Sequence, residues 1–269
     1  MVIFFFNKIK KYKIKYLSKK IQKSFGKNNL GHITSKYKGG GIKISNYKII
    51  DFTYVNYGLF SQSAIFVKII YDFFRKFYIG IYYFFIGILK KTYRYFLLTK
   101  NLHLGAQINF GVNASINTGN ALPLYKIFPG SYIYNIEIKS KKKASLVRNA
   151  KYSAIILLIG DLYVTIKLPS GEIKLLCKNL FCIIGQLLIK KRIEKNYMKK
   201  AGYKRKWFSL RPKVRGSAMN ACDHPHGGGE GKALIGYKFP RTLWGKAFKG
   251  IKTRKKNKKL SRFIIQTRK

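Results

Sequence analysis

Residues 162–177 read LYVTIKLPSGEIKLLC, two runs of aliphatic and β-branched side chains interrupted by Pro169, Ser170 and Gly171. Proline presets its own φ and glycine adopts backbone angles closed to other residues, so the triplet turns one strand back on the next. An antiparallel hairpin is predicted here. Working outward, Tyr152–Leu158 and Gly130–Ile138 read as further short strands of the same set, and short strands closely spaced by turn residues describe a small barrel.

A second set of β-rich runs precedes it: Ile42–Phe52, Ala64–Tyr71, Tyr78–Phe85, Arg94–Leu98 and Ala106–Phe110, separated by Gly, Asn and Lys. These predict another small barrel. Between the sets, NTGNALPLYKIFPG concentrates turn formers at Gly119, Asn120, Pro123, Pro129 and Gly130, which marks the boundary. The fold class is therefore mainly β: a basic arm over 1–41, a barrel over 42–118, a second barrel over 119–195 and a Gly-rich basic extension over 196–269. From about Asn196 onward Lys, Arg and Gly dominate, and nothing in the pattern predicts a core there.

Charge decides what such a chain binds. Lys and Arg number 56 against 8 Asp and Glu, a formal charge of +48 on 269 residues. A compact fold carrying that alone repels itself, so a polyanionic partner is implied. The acids fall between Asp51 and Glu230, leaving both ends purely cationic. With 47% hydrophobic residues, the chain is also too apolar to be a wholly disordered basic tail.

Other readings are narrowed by elementary limits. The apolar run Val2–Phe6 is shorter than the ~7–15 residues of a secretory core, and its charge follows it instead of preceding it. An import presequence would be rich in Arg and Ser, whereas residues 1–22 carry Lys and no Arg. The abundance of Lys, Ile, Asn, Tyr and Phe matches A- and T-rich codons. Synthesis inside an organelle is expected, with the mitochondrial matrix as the first expectation and the plastid as the alternative. Phe77–Leu89 is apolar throughout but falls below the ~17–25 residues that span a bilayer, so it is expected as buried strand. Cys177, Cys182 and Cys222 are odd in number and sparse, which argues against a disulfide scaffold. The C-x4-C pair lacks a second knuckle, so Cys177 and Cys182 are expected as small core residues and no metal site is assigned.

The chemistry concentrates in WFSLRPKVRGSAMNACDHPHGGGEGKALIG, Trp207 to Gly236. Gly227, Gly228, Gly229 and Gly231 carry no side chain, which lets backbone N–H groups approach a phosphate or ribose. Arg211, Lys213, Arg215 and Lys232 supply charge, while Asn220, His224 and His226 offer hydrogen bonds to base edges or 2′-hydroxyls. Trp207, Trp244 and Phe248 sit among cations, where an aromatic stacks on a base or guanidinium or packs on the second barrel; packing is expected for Trp244.

RGSAMN followed by DHPHGGGEG resembles the signature of the universal ribosomal large-subunit protein two family. LWGKAFKGIKTRKKNK (Leu243–Lys258) is similar to that family's W-G-x-x-x-K-G-x-K-T-R stretch, and the match extends upstream through Lys200, Ala201, Gly202, Trp207, Arg211 and Pro212. NNLGHITSKYKGGG (Asn28–Gly41) and YKIIDF (Tyr47–Phe52) resemble its entry into the first barrel. Tyr71, Asp72 and Arg75 resemble a Y-D-P-N-R turn, and GNALPL with FPGS resembles G-N-x-L-P-L…P-x-G-S. The resemblance implies an oligonucleotide-binding (OB) barrel, then an SH3-like barrel, with arms threaded into large-subunit rRNA beside the peptidyl transferase region. It adds Lys36, Lys38, Arg75, Trp244, Lys249, Lys252, Arg254 and Lys255 to the expected rRNA ligands. It also implies neighbouring ribosomal proteins and small-subunit components at the subunit interface as partners, with no cofactor, Mg²⁺ entering only through bound rRNA. The chain departs from the family at Ala221, Cys222, Phe73, Phe74 and Ser209, which bears on local turns.

Two other classes remain to be weighed. Val2–Phe6 with the following lysines is a candidate membrane-surface anchor. Asp223, His224 and His226 offer an acid beside H-x-H, the raw material of a metal-dependent hydrolase. Pro225 and the glycines that follow favour irregular backbone, and +48 repels a divalent cation, so an enzyme is not expected.

Overall fold

Alternation organises the predicted hairpin. Val164 and Ile166 point into a core while Tyr163 and Lys167 face out, and opposite them Leu176 is buried and Cys177 exposed. The two strands pair antiparallel with Val164 opposite Leu176. Gly171 takes φ +84° at the turn, where its N–H donates to the Leu168 carbonyl at 2.9 Å.

The structure is a computed structural model that describes residues 15–53, 61–72, 74–75, 77–140, 142–188, 200–231, 234–253 and 259–267. Among them run β1 (Ser18–Ile21), β2 (Ile44–Lys48), β3 (Gln62–Asp72), β4 (Phe77–Ile86), β5 (Tyr93–Leu97), β6 (Gln107–Phe110), β7 (Ala121–Pro123), β8 (Tyr132–Tyr134), β9 (Ala154–Ile159), β10 (Tyr163–Lys167), β11 (Ile173–Cys177), β12 (Phe181–Ile184), the helix α1 (Ala201–Phe208) and β13 (Ile264–Gln266). The larger sheet has the order β13-β11-β10-β9-β8-β12-β7-β6-β3-β4-β5. Its pairings are antiparallel except for β6 and β7, which meet in parallel at Phe110 and Ala121. That junction passes from one core to the other.

The two cores differ in chemistry. The first is aromatic: Phe66 stacks on Tyr82 at 5.1 Å, and Phe84, Phe96 and Phe110 form a triangle with centroids 5.3 to 5.9 Å apart. The second is aliphatic, built on Leu122, Leu124, Ile133, Ile156, Val164, Ile166 and Leu176. A register shift between Phe66 and Lys68 places Phe66 and Val67 both inside, the signature of a bulge that bends a strand around a barrel. The fold is mainly β, an OB-type barrel followed by an SH3-like barrel. Phe77–Leu89 is largely strand, as expected: β4 accounts for Phe77–Ile86. No described helix is long and apolar enough to cross a membrane.

Several expectations are corrected. Ala121–Pro123, read as part of a boundary of turn formers, is a fully buried strand between β6 and β12, because Ala121 and Leu122 fill space that two facing strands leave. Gly130–Ile138 is strand only over Tyr132–Tyr134, since Asn135 adopts φ +50° and breaks the ladder. Cys177 is exposed where a core residue was expected, pointing away at the strand end, while Cys182 is buried; all three cysteines are free.

Residues 201–208, expected to be irregular, form α1. Arg205 and Lys206 in its last turn favour it by facing the negative end of the helix dipole. Ser209 ends it in the left-handed conformation, φ 56° and ψ 34°, the angles that make glycine usual at such a position. Gln22–Ile44 groups with the described residues from Lys200 to Thr253 as one compact unit, separate from the unit that holds both barrels.

Candidate nucleic-acid interface

The basic stretches of this smaller unit are tied together by backbone. Lys38 bridges Leu210, the Gly39 N–H donates to the Ser209 carbonyl at 2.9 Å, and the Arg211 N–H donates to the Tyr37 carbonyl at 2.7 Å. Gly41, at φ +78°, lies so close to α1 that a Cβ there would stand 2.7 Å from the Lys206 carbonyl oxygen. Lys23 adds a strut, its Nζ donating to the Ser209 Oγ at 2.6 Å and the Gly40 carbonyl at 3.3 Å. Ser209, a departure from the family pattern, thus accepts a hydrogen bond that glycine would not offer.

These ties assemble three of the expected ligands, Lys36, Lys38 and Arg211, on one groove of about 480 Å³ with Phe25, Ile33, Ser35, Gly39 and Gly40. Tyr37 lies between the two lysines in sequence and leads to the next cluster. Lys213 Nζ sits 5.6 Å from its ring centre and 5.5 Å from that of Phe248, which Lys249 approaches to 5.8 Å. Both lysines are exposed, and a cation held near a ring face is positioned to meet an anion.

From Phe248 the path continues into the histidine loop. The Phe248 N–H donates to the Pro240 carbonyl, and the Arg241 N–H donates to His226 Nε2 at 2.8 Å. The His226 N–H in turn donates to His224 Nδ1 at 3.0 Å, with the two rings 4.9 Å apart. The neutral rings therefore carry their protons on His224 Nε2 and His226 Nδ1. Loss of solvent around His224 and the neighbouring His226 hold its pKa below the ordinary range. Arg241 lies over the Tyr237 ring at 3.8 Å.

The loop glycines answer first to the loop itself. A Cβ on Gly227 would stand 2.2 Å from the Asn220 carbonyl oxygen, and Gly228 and Gly229 both take φ +82°. The N–H of Gly227 donates to the His224 carbonyl and that of Gly228 to the Met219 carbonyl, so neither is free for a phosphate as expected. The Asn220 carbonyl accepts from Asp223 and His224, while its side chain is exposed.

The remaining expected ligands divide. Arg215 and Lys252 are exposed, as is Trp244 at 52%, against the packing expected of it; its turn, closed by Gly245 to Thr242, holds it outward. Arg75 belongs to the barrel unit and is committed there: it pairs with buried Asp72, donates to the Lys48 carbonyl and lies 4.3 Å over Tyr47. Lys232, Arg254 and Lys255 lie outside the described residues, as does Val2–Phe6. Sequence reasoning passed over Lys23, Tyr37 and Arg241, whose roles come from partners far along the chain. Among the described residues no group of three or more His, Cys, Asp or Glu is placed to hold a metal.

Two β barrels and a cationic, aromatic-studded unit whose backbone is locked by glycines make a chain built to meet a polyanion. Residues 14–109 match the RNA-binding N-terminal domain of ribosomal proteins L2, and residues 117–245 match the C-terminal domain of the same proteins. The chain is 65% identical over 267 residues to "Large ribosomal subunit protein uL2c" of Toxoplasma gondii, covering 99% of this chain and 100% of that one. It is 46% identical over 259 residues to the protein of the same name from Eimeria tenella, covering 91% and 93%. The chain belongs to the ribosomal protein L2 family. Both relatives carry names of the plastid type, which overturns the mitochondrial matrix as the expected location: A- and T-rich codon usage is shared by both kinds of organelle genome and does not separate them.

Proposed function

We propose that this chain is a structural constituent of the large ribosomal subunit of a plastid, binding large-subunit rRNA and catalysing nothing itself. The carrying observation is the path from Lys36, Lys38 and Arg211 through Tyr37, Lys213, Phe248 and Lys249 to His224 and His226, whose cations are exposed and whose aromatic and histidine rings are partly so. Arg215, Asn220, Lys252 and the Trp244 ring are further exposed groups of the same unit, with Gly227–Gly229 setting the loop's shape and Lys232, Arg254 and Lys255 continuing the basic sequence. The working division is the expected one: arm 1–41, OB-type barrel 42–118, SH3-like barrel 119–195, extension 196–269. On this reading the barrels dock on rRNA, the histidine loop positions nucleotides near the peptidyl transferase region, and neighbouring ribosomal proteins and the subunit interface complete the partners. A hydrolase on Asp223, His224 and His226 is disfavoured because each ring already gives one nitrogen to a backbone N–H.

The test is binding of the full chain to a transcript of large-subunit rRNA across a salt series. Each phosphate contact contributes about −0.7 to −0.9 to the slope of log K against log salt, so a steep slope is expected. An affinity independent of salt defeats the proposal.

A further inference from the structure

The groove built by Lys36, Lys38 and Arg211 contains something that charge alone does not require. Phe25 lines it with its side chain 55% exposed, and its backbone holds φ +49°, in the left-handed region that bulky residues avoid. An aromatic ring kept in water on a strained backbone is unfavourable twice over, and such strain collects where a fold serves a ligand. Ile33, 52% exposed, adds a second apolar side chain to the groove.

The wall around them is stiff. Asn28 Oδ1 accepts the N–H groups of Leu30 and His32 at 3.0 and 2.9 Å, and the Gly26 carbonyl accepts those of Thr34 and Ser35. Gly26 itself lies where a Cβ would meet the Ser35 carbonyl oxygen at 2.3 Å. The Arg211 guanidinium rests along Gly39, its atoms 3.5 to 3.7 Å from where a Cβ would be. The outcome is an apolar platform, two lysines and a guanidinium on one preformed concavity of about 480 Å³, within the ~300–1,000 Å³ of small-ligand sites.

We propose that this groove seats one unstacked nucleotide of a single-stranded RNA segment, its base on Phe25 and Ile33 and its phosphates on Lys36, Lys38 and Arg211. The inference rests on the RNA-binding reading and deepens it. Duplex RNA buries its base faces in its own stack and offers nothing to Phe25, whereas a splayed base stacks on an aromatic whatever its identity. Charge complementarity selects the polyanion, and the exposed ring selects its single-stranded form.

The test uses the full chain and two probes, a short oligouridylate carrying one 2-aminopurine and a blunt RNA duplex, each titrated over a salt series. Phe25→Gly is the key variant, because glycine accepts φ +49° freely and removes the ring without endangering the backbone. It is expected to weaken oligouridylate binding about five- to 150-fold at every salt concentration, to abolish the change in 2-aminopurine fluorescence, and to leave duplex affinity unchanged. Phe25→Trp restores both signals. Lys36→Ala, Lys38→Ala and Arg211→Ala instead flatten the salt slope. If Phe25→Gly leaves oligouridylate affinity and fluorescence unmoved, or weakens both probes equally, the groove is no nucleotide seat, while the rRNA-binding proposal stands. If oligoglutamate displaces the oligouridylate and Phe25→Gly weakens the peptide alone, the occupant is an acidic protein segment and the inference falls. Failure of the unaltered chain to bind the rRNA transcript overturns the underlying reading separately.

Discussion

Gly171 and Gly227 resist substitution for different physical reasons, and the difference is measurable. Gly171 has open space around its absent side chain but φ +84°, so Gly171→Ala strains the backbone without a clash and is expected to destabilise the fold by about 1–2 kcal/mol in chemical denaturation followed by far-UV circular dichroism. For Gly227→Ala the methyl would meet the Asn220 carbonyl at 2.2 Å, so the loop must open; barrel stability should stay unchanged while rRNA affinity falls. Equal loss of barrel stability in the two variants would refute this contrast. Glu137 is a third case: it is buried, one oxygen accepts the Phe181 N–H at 3.3 Å, and desolvation pushes its carboxyl up to about 7 against that bond's opposing effect. Folding therefore favours its protonated form, so its contribution is full below the ordinary value of 4.5 and is lost as pH rises through about 7. Glu137→Gln is expected to remove that decline from a plot of melting temperature against pH; an unchanged slope would exclude it. At this scale the sequence showed which residues carry charge. It could not show that Arg75 is tied to Asp72 or that Gly227 and Gly228 use their N–H groups internally, because those facts depend on folded neighbours.

Among the elements, the histidine loop carries its own titration. His224 has its pKa lowered by desolvation and by His226, so its neutral ring's contribution to the closed loop is full above the ordinary value of 6.5 and is lost as pH falls through the depressed folded value. Limited proteolysis between Asn220 and Gly231 should accelerate at about pH 5 relative to about pH 7.5, and His224→Ala should remove the acceleration. The hairpin β10–β11 and the strands β3–β6 were legible because turn residues bracket apolar runs of strand length. β7 was not, since Ala121–Pro123 is three residues among turn formers and becomes strand only through its neighbours β6 and β12. α1 escaped notice for a similar reason: eight residues with several cations and no acidic first turn give a weak helix signal. The resemblance blocks named Lys36, Lys38 and Arg211 separately, whereas the contacts linking Lys38 to Leu210 and Tyr37 to Lys213 join stretches that no local pattern relates.

For the whole molecule, the excess of 56 cations over 8 acids makes the free chain its own adversary. Its melting temperature should rise with ionic strength, and rise further when heparin or rRNA at the same ionic strength binds the folded form; a melting temperature indifferent to both would contradict the charge argument. The two-barrel architecture was visible in the order of β-rich runs, but the pairing of the two basic ends was not, because charge repulsion gave no reason to expect Gln22–Ile44 beside α1. That pairing has a temporal side. Lys23 reaches Ser209 across 186 positions, which at the usual pace of translation separates their emergence by roughly ten to forty seconds. During that interval the arm is a nascent cationic segment with no home, while the two barrels emerge behind it. The groove and the histidine loop thus come into being only late in synthesis, and an escort that shields the arm until then would protect it from wandering onto the wrong nucleic acid.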